Sequence, residues 1–127
     1  MPAMSPALVL YAHDLAVTRQ FYELLGLGFV EERHGTGPIH FACAFEGFVL
    51  ELYPQRDGAA EPKPCQSVAL VLYVEAFDRT LAGLKAMDMK PGAVSVYLEA
   101  RGLHAVSVRD PDGRLVRLLE RDPHDVQ

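Results

Sequence analysis

The side chains that could carry chemistry in this 127-residue sequence are few, and most fall on short alternating segments. If IHFACAF and FVLELYP are strands, His40, Ala42 and Ala44 share one face with Val49, Glu51 and Tyr53, because successive side chains alternate. His40 beside Glu51 could perform general acid/base work, with an imidazole that titrates near neutrality. The same histidine could equally be a hydrogen-bonded rim residue. Arg117, in RLVRLLE, stands between Leu115 and Leu119 on a face that reads as buried. A guanidinium there needs either a partner or a route to water. Tyr11, Tyr53 and Tyr73 offer rings with a polar tip, suited to stacking on a planar ligand or to ordinary packing.

Other candidates read as structural. Cys43 lies between Phe41 and Phe45 on an apolar face, as a small core residue does. Asp110 and Asp112 belong to a DPDG turn. His104 falls opposite Glu120 near a strand end, and His13, His34 and His124 fall in turn or terminal segments and read as solvated. The sequence contains no Ser/His/Asp elbow, phosphate loop or nucleotide fingerprint.

The elements that position these residues occur twice. LYAHDLAVTRQFYELLGLGF (Leu10 to Phe29) aligns with LYVEAFDRTLAGLKAMDMKP (Leu72 to Pro91), so that Thr18 falls on Thr80 and Tyr22 on Leu84. Each copy predicts a strand ending in Tyr, then an amphipathic helix, over about Leu15 to Leu25 and Phe77 to Met87. After each helix the hydrophobic period drops from 3.6 to 2, and three strands follow. Each half therefore reads as βαβββ, module 1 over about residues 5–54 and module 2 over about 67–121, within one domain spanning 1–127. Residues 55–66, QRDGAAEPKPCQ, have linker composition.

A two-residue turn at Glu46-Gly47 would pair Phe45 with Phe48, Ala44 with Val49, Ala42 with Glu51 and His40 with Tyr53. A three-residue loop closed by Gly113 would pair Arg109 with Leu115, Ser107 with Arg117 and Ala105 with Leu119. In each hairpin one face is then apolar and helix-covered, and the other small and mixed, as expected of a sheet curved around a cavity.

The net charge of −5, with no Lys/Arg run, argues against nucleic acid as a partner. Two cysteines without a CxxC or disulfide pattern fit a reducing compartment. MPAMSPALVLYAHD has no basic n-region or long apolar h-region, so no signal peptide is expected, and no apolar run would span a bilayer. The expectation is a cytoplasmic protein without a membrane partner.

With Asp14-Leu15, Phe21-Tyr22, Leu25-Gly26-Leu27 and Asp110-Pro111-Asp112-Gly113, this repeat resembles the vicinal oxygen chelate superfamily from about Ala7 to Glu120. That group includes glyoxalase I, fosfomycin-resistance enzymes, extradiol dioxygenases and bleomycin-resistance proteins. The resemblance implies an α+β fold in which two tandem βαβββ modules form a curved mixed sheet around a cleft. In metal-dependent members, ligands come from the first and last strands of each half. The matching positions here are Ala7, Glu51, Ala69 and Arg117. Three of these offer no lone pair, so the expectation is a lost metal site and no cofactor. Arg117 could instead bridge Glu51, within a chain or across a dimer, or simply reach solvent.

The reading is a metal-independent small-molecule-binding protein of the bleomycin-resistance-like kind. It would sequester a drug, as in antibiotic resistance, or an aromatic metabolite. The cleft residues are Tyr11, His40, Glu51, Tyr53, Tyr73, Ser107 and Arg117, with no catalytic residue identified. The alternative is a metal-dependent lyase, isomerase or dioxygenase with a non-standard ligand set drawn from His40, Glu51 and a second chain. Pairing of two chains, common in the superfamily, implies a homodimer.

Overall fold

The computed structural model describes residues 6–56 and 61–123. The chain divides into two compact units, residues 1–62 and 63–127, each a four-stranded mixed sheet with one main helix. The predicted linker falls partly outside the described residues, at 57–60, as does His124.

In the first unit β1 (Ala7–Ala12) leads into α1 (Leu15–Leu24). Asp14 starts the helix: its carboxylate accepts the Val17 N–H at 3.2 Å, satisfying one of the orphan donors of the first turn. Thr18, Phe21 and Tyr22 form the buried stripe, with the two rings edge-to-face at 4.9 Å. Gly26 ends the helix at φ 103°, a left-handed conformation that glycine adopts without strain. β2 (Val30–Glu32), β3 (His40–Phe45) and β4 (Phe48–Pro54) complete the sheet in the order β1-β4-β3-β2, with β1 parallel to β4 and the others antiparallel.

Glu46 and Gly47 both have positive φ, at 48° and 77°, the geometry of a two-residue hairpin turn matched to strand twist. The register follows from it, Phe45 opposite Phe48 and Ala42 opposite Glu51. Leu10, Phe41, Cys43, Leu50 and Leu52 are buried together on one side of the sheet.

The second unit repeats the order: β5 (Ala69–Val74), α2 (Phe77–Ala86), β6 (Ser95–Leu98), β7 (Leu103–Arg109) and β8 (Leu115–Glu120), arranged β5-β8-β7-β6. A short 3-10 turn, Glu99–Arg101, joins β6 to β7. Arg109, Ser107 and Ala105 lie opposite Leu115, Arg117 and Leu119 in the register expected. Val106, Val108, Val116 and Leu118 are buried.

The DPDG turn is held by Asp110, whose Oδ1 accepts the N–H groups of Asp112 and Arg114 at 2.9 and 3.0 Å. Its Oδ2 pairs with the Arg114 guanidinium at 2.9 Å. The end of the linker is seated on this turn: Cys65 N–H donates to the Gly113 carbonyl at 3.0 Å, and Arg109 donates to the Cys65 carbonyl at 2.9 Å. A Cβ on Gly113 would meet the Lys63 carbonyl oxygen at 2.2 Å, so only glycine permits this approach.

Candidate functional site

On the first unit's sheet the face away from the buried apolar residues carries Val9 and Tyr11 from β1 and Glu51 and Tyr53 from β4. Ala42 and His40 from β3 and Glu32 from β2 continue it, as strand alternation and the pairing register require. His40 lies at the start of β3, paired with Glu32, and is only 1% exposed. Tyr53 stacks on its ring at 4.1 Å with an interplanar angle of 8°, and Tyr11 lies 6.2 Å from Tyr53.

His40 Nδ1 lies 3.2 Å from the Pro38 carbonyl. A carbonyl can only accept, so in the neutral ring Nδ1 carries the proton and Nε2 the lone pair. Nε2 points at two carboxylates, Glu32 at 3.4 Å and Glu51 at 3.7 Å. It is one of the buried polar atoms without a hydrogen bond among the described residues. His34, in the loop after β2, brings its Nε2 to 3.7 Å from the same Glu32 oxygen, and its ring to 5.0 Å from His40. Desolvation first, and then the charges of Glu51 and Glu32, raise the Tyr53 phenol above its ordinary value.

Of the residues expected in a cleft, the structure brings His40, Glu51, Tyr53 and Tyr11 together on this face. Glu32 and His34 join them, and sequence reasoning missed both. Their signal was the spacing Glu32-x-His34, which places both side chains on one side of an extended segment. His34 is largely exposed, as expected, and is nonetheless part of the cluster.

In the second unit Tyr73, Ser107 and Arg117 occupy the corresponding face. Arg117 is exposed there while Leu119 is buried and Leu115 half-buried. The burial expected for Arg117 from its leucine neighbours is corrected: α2 covers the opposite face, and the long side chain reaches water along its aliphatic stem. His104 is structural, with Nδ1 3.1 Å from Glu120 Oε1 and its ring stacked on Phe77. Tyr97 donates to the Glu120 carbonyl at 2.6 Å.

The four positions that hold a metal in the superfamily this repeat resembles offer little donor chemistry here. Ala7 and Ala69 have no donor atom, and Arg117 is a permanent cation. One carboxylate cannot hold a divalent ion there, and the residues do not fit a metal at those positions.

The thiols differ. Burial raises Cys43 above its ordinary value, whereas a hydrogen bond from the Ser67 hydroxyl lowers Cys65. A groove of about 470 Å³ lies along the outer side of α1 against Ile39 and Phe41. Arg19 sits in it, over the Phe41 ring at 4.4 Å and paired with Glu23.

Solved structures similar to this chain share one type of fold. A glyoxalase/dioxygenase from Nostoc punctiforme has TM-score 0.69 at 18% identity, covering 94% of this chain and 91% of that one. A glyoxalase family protein from Enterococcus faecalis has TM-score 0.63 at 22% identity, covering 90% and 94%. A lactoylglutathione lyase from Agrobacterium tumefaciens has TM-score 0.61 at 21% identity, covering 98% of each chain. No protein-family model and no curated protein matches the chain. Likeness at these identities carries the fold and leaves the reaction open.

Proposed function

We propose that this chain, whose α+β fold of two tandem modules is that of the vicinal oxygen chelate proteins, is a small-molecule-binding protein. It works by sequestration of a planar or aromatic compound, a drug or a metabolite, without a metal at the superfamily's four positions. One observation carries the reading. The helix-free sheet faces expose large apolar side chains in both units: Val9 and Tyr11 at 37% and 54%, Val71 and Tyr73 at 50% and 63%. Contiguous exposed apolar side chains of this kind mark a surface that another molecule covers. Small neighbours such as Ala42 leave room beside them, and the tyrosines present stacking planes with a hydrogen-bonding tip. The two unpaired cysteines suit a reducing, cytoplasmic setting. No helix among the described residues is long and apolar enough to cross a membrane.

The test uses the protein's own fluorophores, since it has five tyrosines and no tryptophan. Planar aromatic compounds are screened by thermal shift in the presence of EDTA, and hits are titrated by tyrosine fluorescence. A saturable ligand whose affinity falls roughly tenfold in Tyr11→Ala or Tyr73→Ala is expected, the loss of a stacking contact being worth about 1 kcal/mol or more. Hits that bind both variants as tightly as the unaltered protein would remove the basis of the reading.

A metal-dependent lyase, isomerase or dioxygenase is the second reading, and the grouping of Glu32, His34 and His40 favours it. Turnover of a bound compound that stops on chelation would select it over sequestration.

A further inference from the structure

We propose that Glu32, His34 and His40, with Glu51 beside them, form a binding site for a divalent transition-metal cation. The site lies wholly within the first unit and shares only Glu51 with the four positions discussed above. One ligand atom from each of Glu32, His34 and His40 lies within 4.8 Å of the other two. Their spacing along the chain, Glu-x-His followed by a histidine six residues on, crosses one strand pair: Glu32 is opposite His40 in the β2–β3 register.

The orientation of His40 separates this cluster from a chance gathering of surface charge. Its ring is buried, clamped by Tyr53 on one face, and its Nδ1–H is committed to the Pro38 carbonyl. That backbone partner fixes the tautomer with the lone pair on Nε2, as the outer partners of metal-bound histidines do. The lone pair then faces oxygens that also carry lone pairs, an arrangement that is repulsive unless a cation lies between them. A proton is one candidate cation. A charge-assisted N–H···O⁻ bond, however, draws its atoms to about 2.7–2.9 Å, and here the separations are 3.4 and 3.7 Å. Ligands bound at about 2.0–2.1 Å in a tetrahedron lie about 3.3–3.4 Å apart. Glu32 to His40 at 3.4 Å matches that edge, Glu32 to His34 at 3.7 Å is a few tenths of an ångström longer, and both exceed the hydrogen bond.

The donor set selects the ion. Two imidazoles and a carboxylate favour Zn²⁺, Fe²⁺, Co²⁺ or Ni²⁺ over Ca²⁺ and Mg²⁺, which prefer all-oxygen surroundings. The two carboxylates would neutralise a divalent charge. His34, exposed on its loop, leaves one side of the site open to water or to a ligand oxygen.

The proposal does not rest on sequestration of an aromatic compound, and neither result decides the other. Chelator-stripped protein is titrated with Co²⁺, read by visible d–d absorption, and with Zn²⁺ by competition. About one Co²⁺ per chain is expected, with the intense spectrum of a four-coordinate nitrogen/oxygen site, and Zn²⁺ should displace it. Glu32→Gln and His34→Ala should each weaken binding by roughly tenfold or more, since losing a ligand costs at least as much as losing an outer partner. Both positions are partly or fully exposed and should fold, whereas the buried His40→Ala change alone would be ambiguous. His13→Ala, outside the cluster, should bind as the unaltered protein does. Absent Co²⁺ binding, an octahedral aquo-like spectrum, or affinity in Glu32→Gln and His34→Ala equal to that of the unaltered protein would overturn the site.

Discussion

The charged residues on the helix-free faces are answered by different neighbours. Glu51 has a nearby base within its own unit, His40 Nε2 at 3.7 Å, and its side chain is 20% exposed. Arg117 is exposed opposite Ser107. A bridge between Glu51 and Arg117, expected from their equivalent places in the two repeats, is tested by a double-mutant cycle. Glu51→Gln and Arg117→Leu are made singly and together, and unfolded in denaturant. With the guanidinium in contact with water, the coupling should not exceed about 1 kcal/mol, the scale of exposed ion pairs. Buried pairs, whose rupture costs about 3–5 kcal/mol, are the wrong comparison. Coupling under about 0.5 kcal/mol would mean the two side chains act independently. Glu51 would then serve the His40 cluster alone.

At the scale of elements the two copies differ where their helices begin. α1 has Asp14 as its N-cap, accepting Val17 N–H, whereas the equivalent residue of α2 is Ala76, with no side-chain cap. Two orphan N–H groups thus share a position in the repeat, and only one has a side-chain acceptor. Ala76→Asp should stabilise the protein by about 1 kcal/mol, and Asp14→Ala should destabilise it by a similar amount. Ala76 is exposed and its backbone is not helical, so the new side chain needs no repacking. Midpoints of urea unfolding for the two variants should move in opposite directions. A fall in the Ala76→Asp midpoint would show that the backbone there cannot present the carboxylate to the first turn.

For the molecule as a whole, the helix-free sheet face of each unit exposes valine and tyrosine side chains, the kind of surface that another molecule covers. β2 and β6 also end their sheets as edge strands. Both features are relieved if two copies pair, and we expect a homodimer with twofold symmetry. Multi-angle light scattering at micromolar concentration should return twice the chain mass. A monomer mass, unchanged on adding ligand, would refute this expectation. If the ligand-binding reading is correct as well, dimer and ligand share the burial of the same class of surface.

What the sequence determined by itself is local and periodic. The strand–helix–three-strand order, repeated at a constant offset, follows from hydrophobic period and caps, both of which act over a few residues. The hairpin registers follow from turn chemistry: positive φ at Glu46 and Gly47, and the Asp110 carboxylate organising its own turn, each leave one pairing. From register and alternation alone, His40, Glu51 and Tyr53 share a face. The joining of Glu32 and His34 to that face was decided by tertiary structure, because it depends on β2 pairing beside β3 and on the intervening loop returning its histidine toward Glu32. No local pattern encodes that return. The burial of His40 and the exposure of Arg117 were decided in the same way. These two residues, both on helix-free strand faces, differ because Tyr53 and the Pro38 carbonyl close around His40, while Arg117 projects into water.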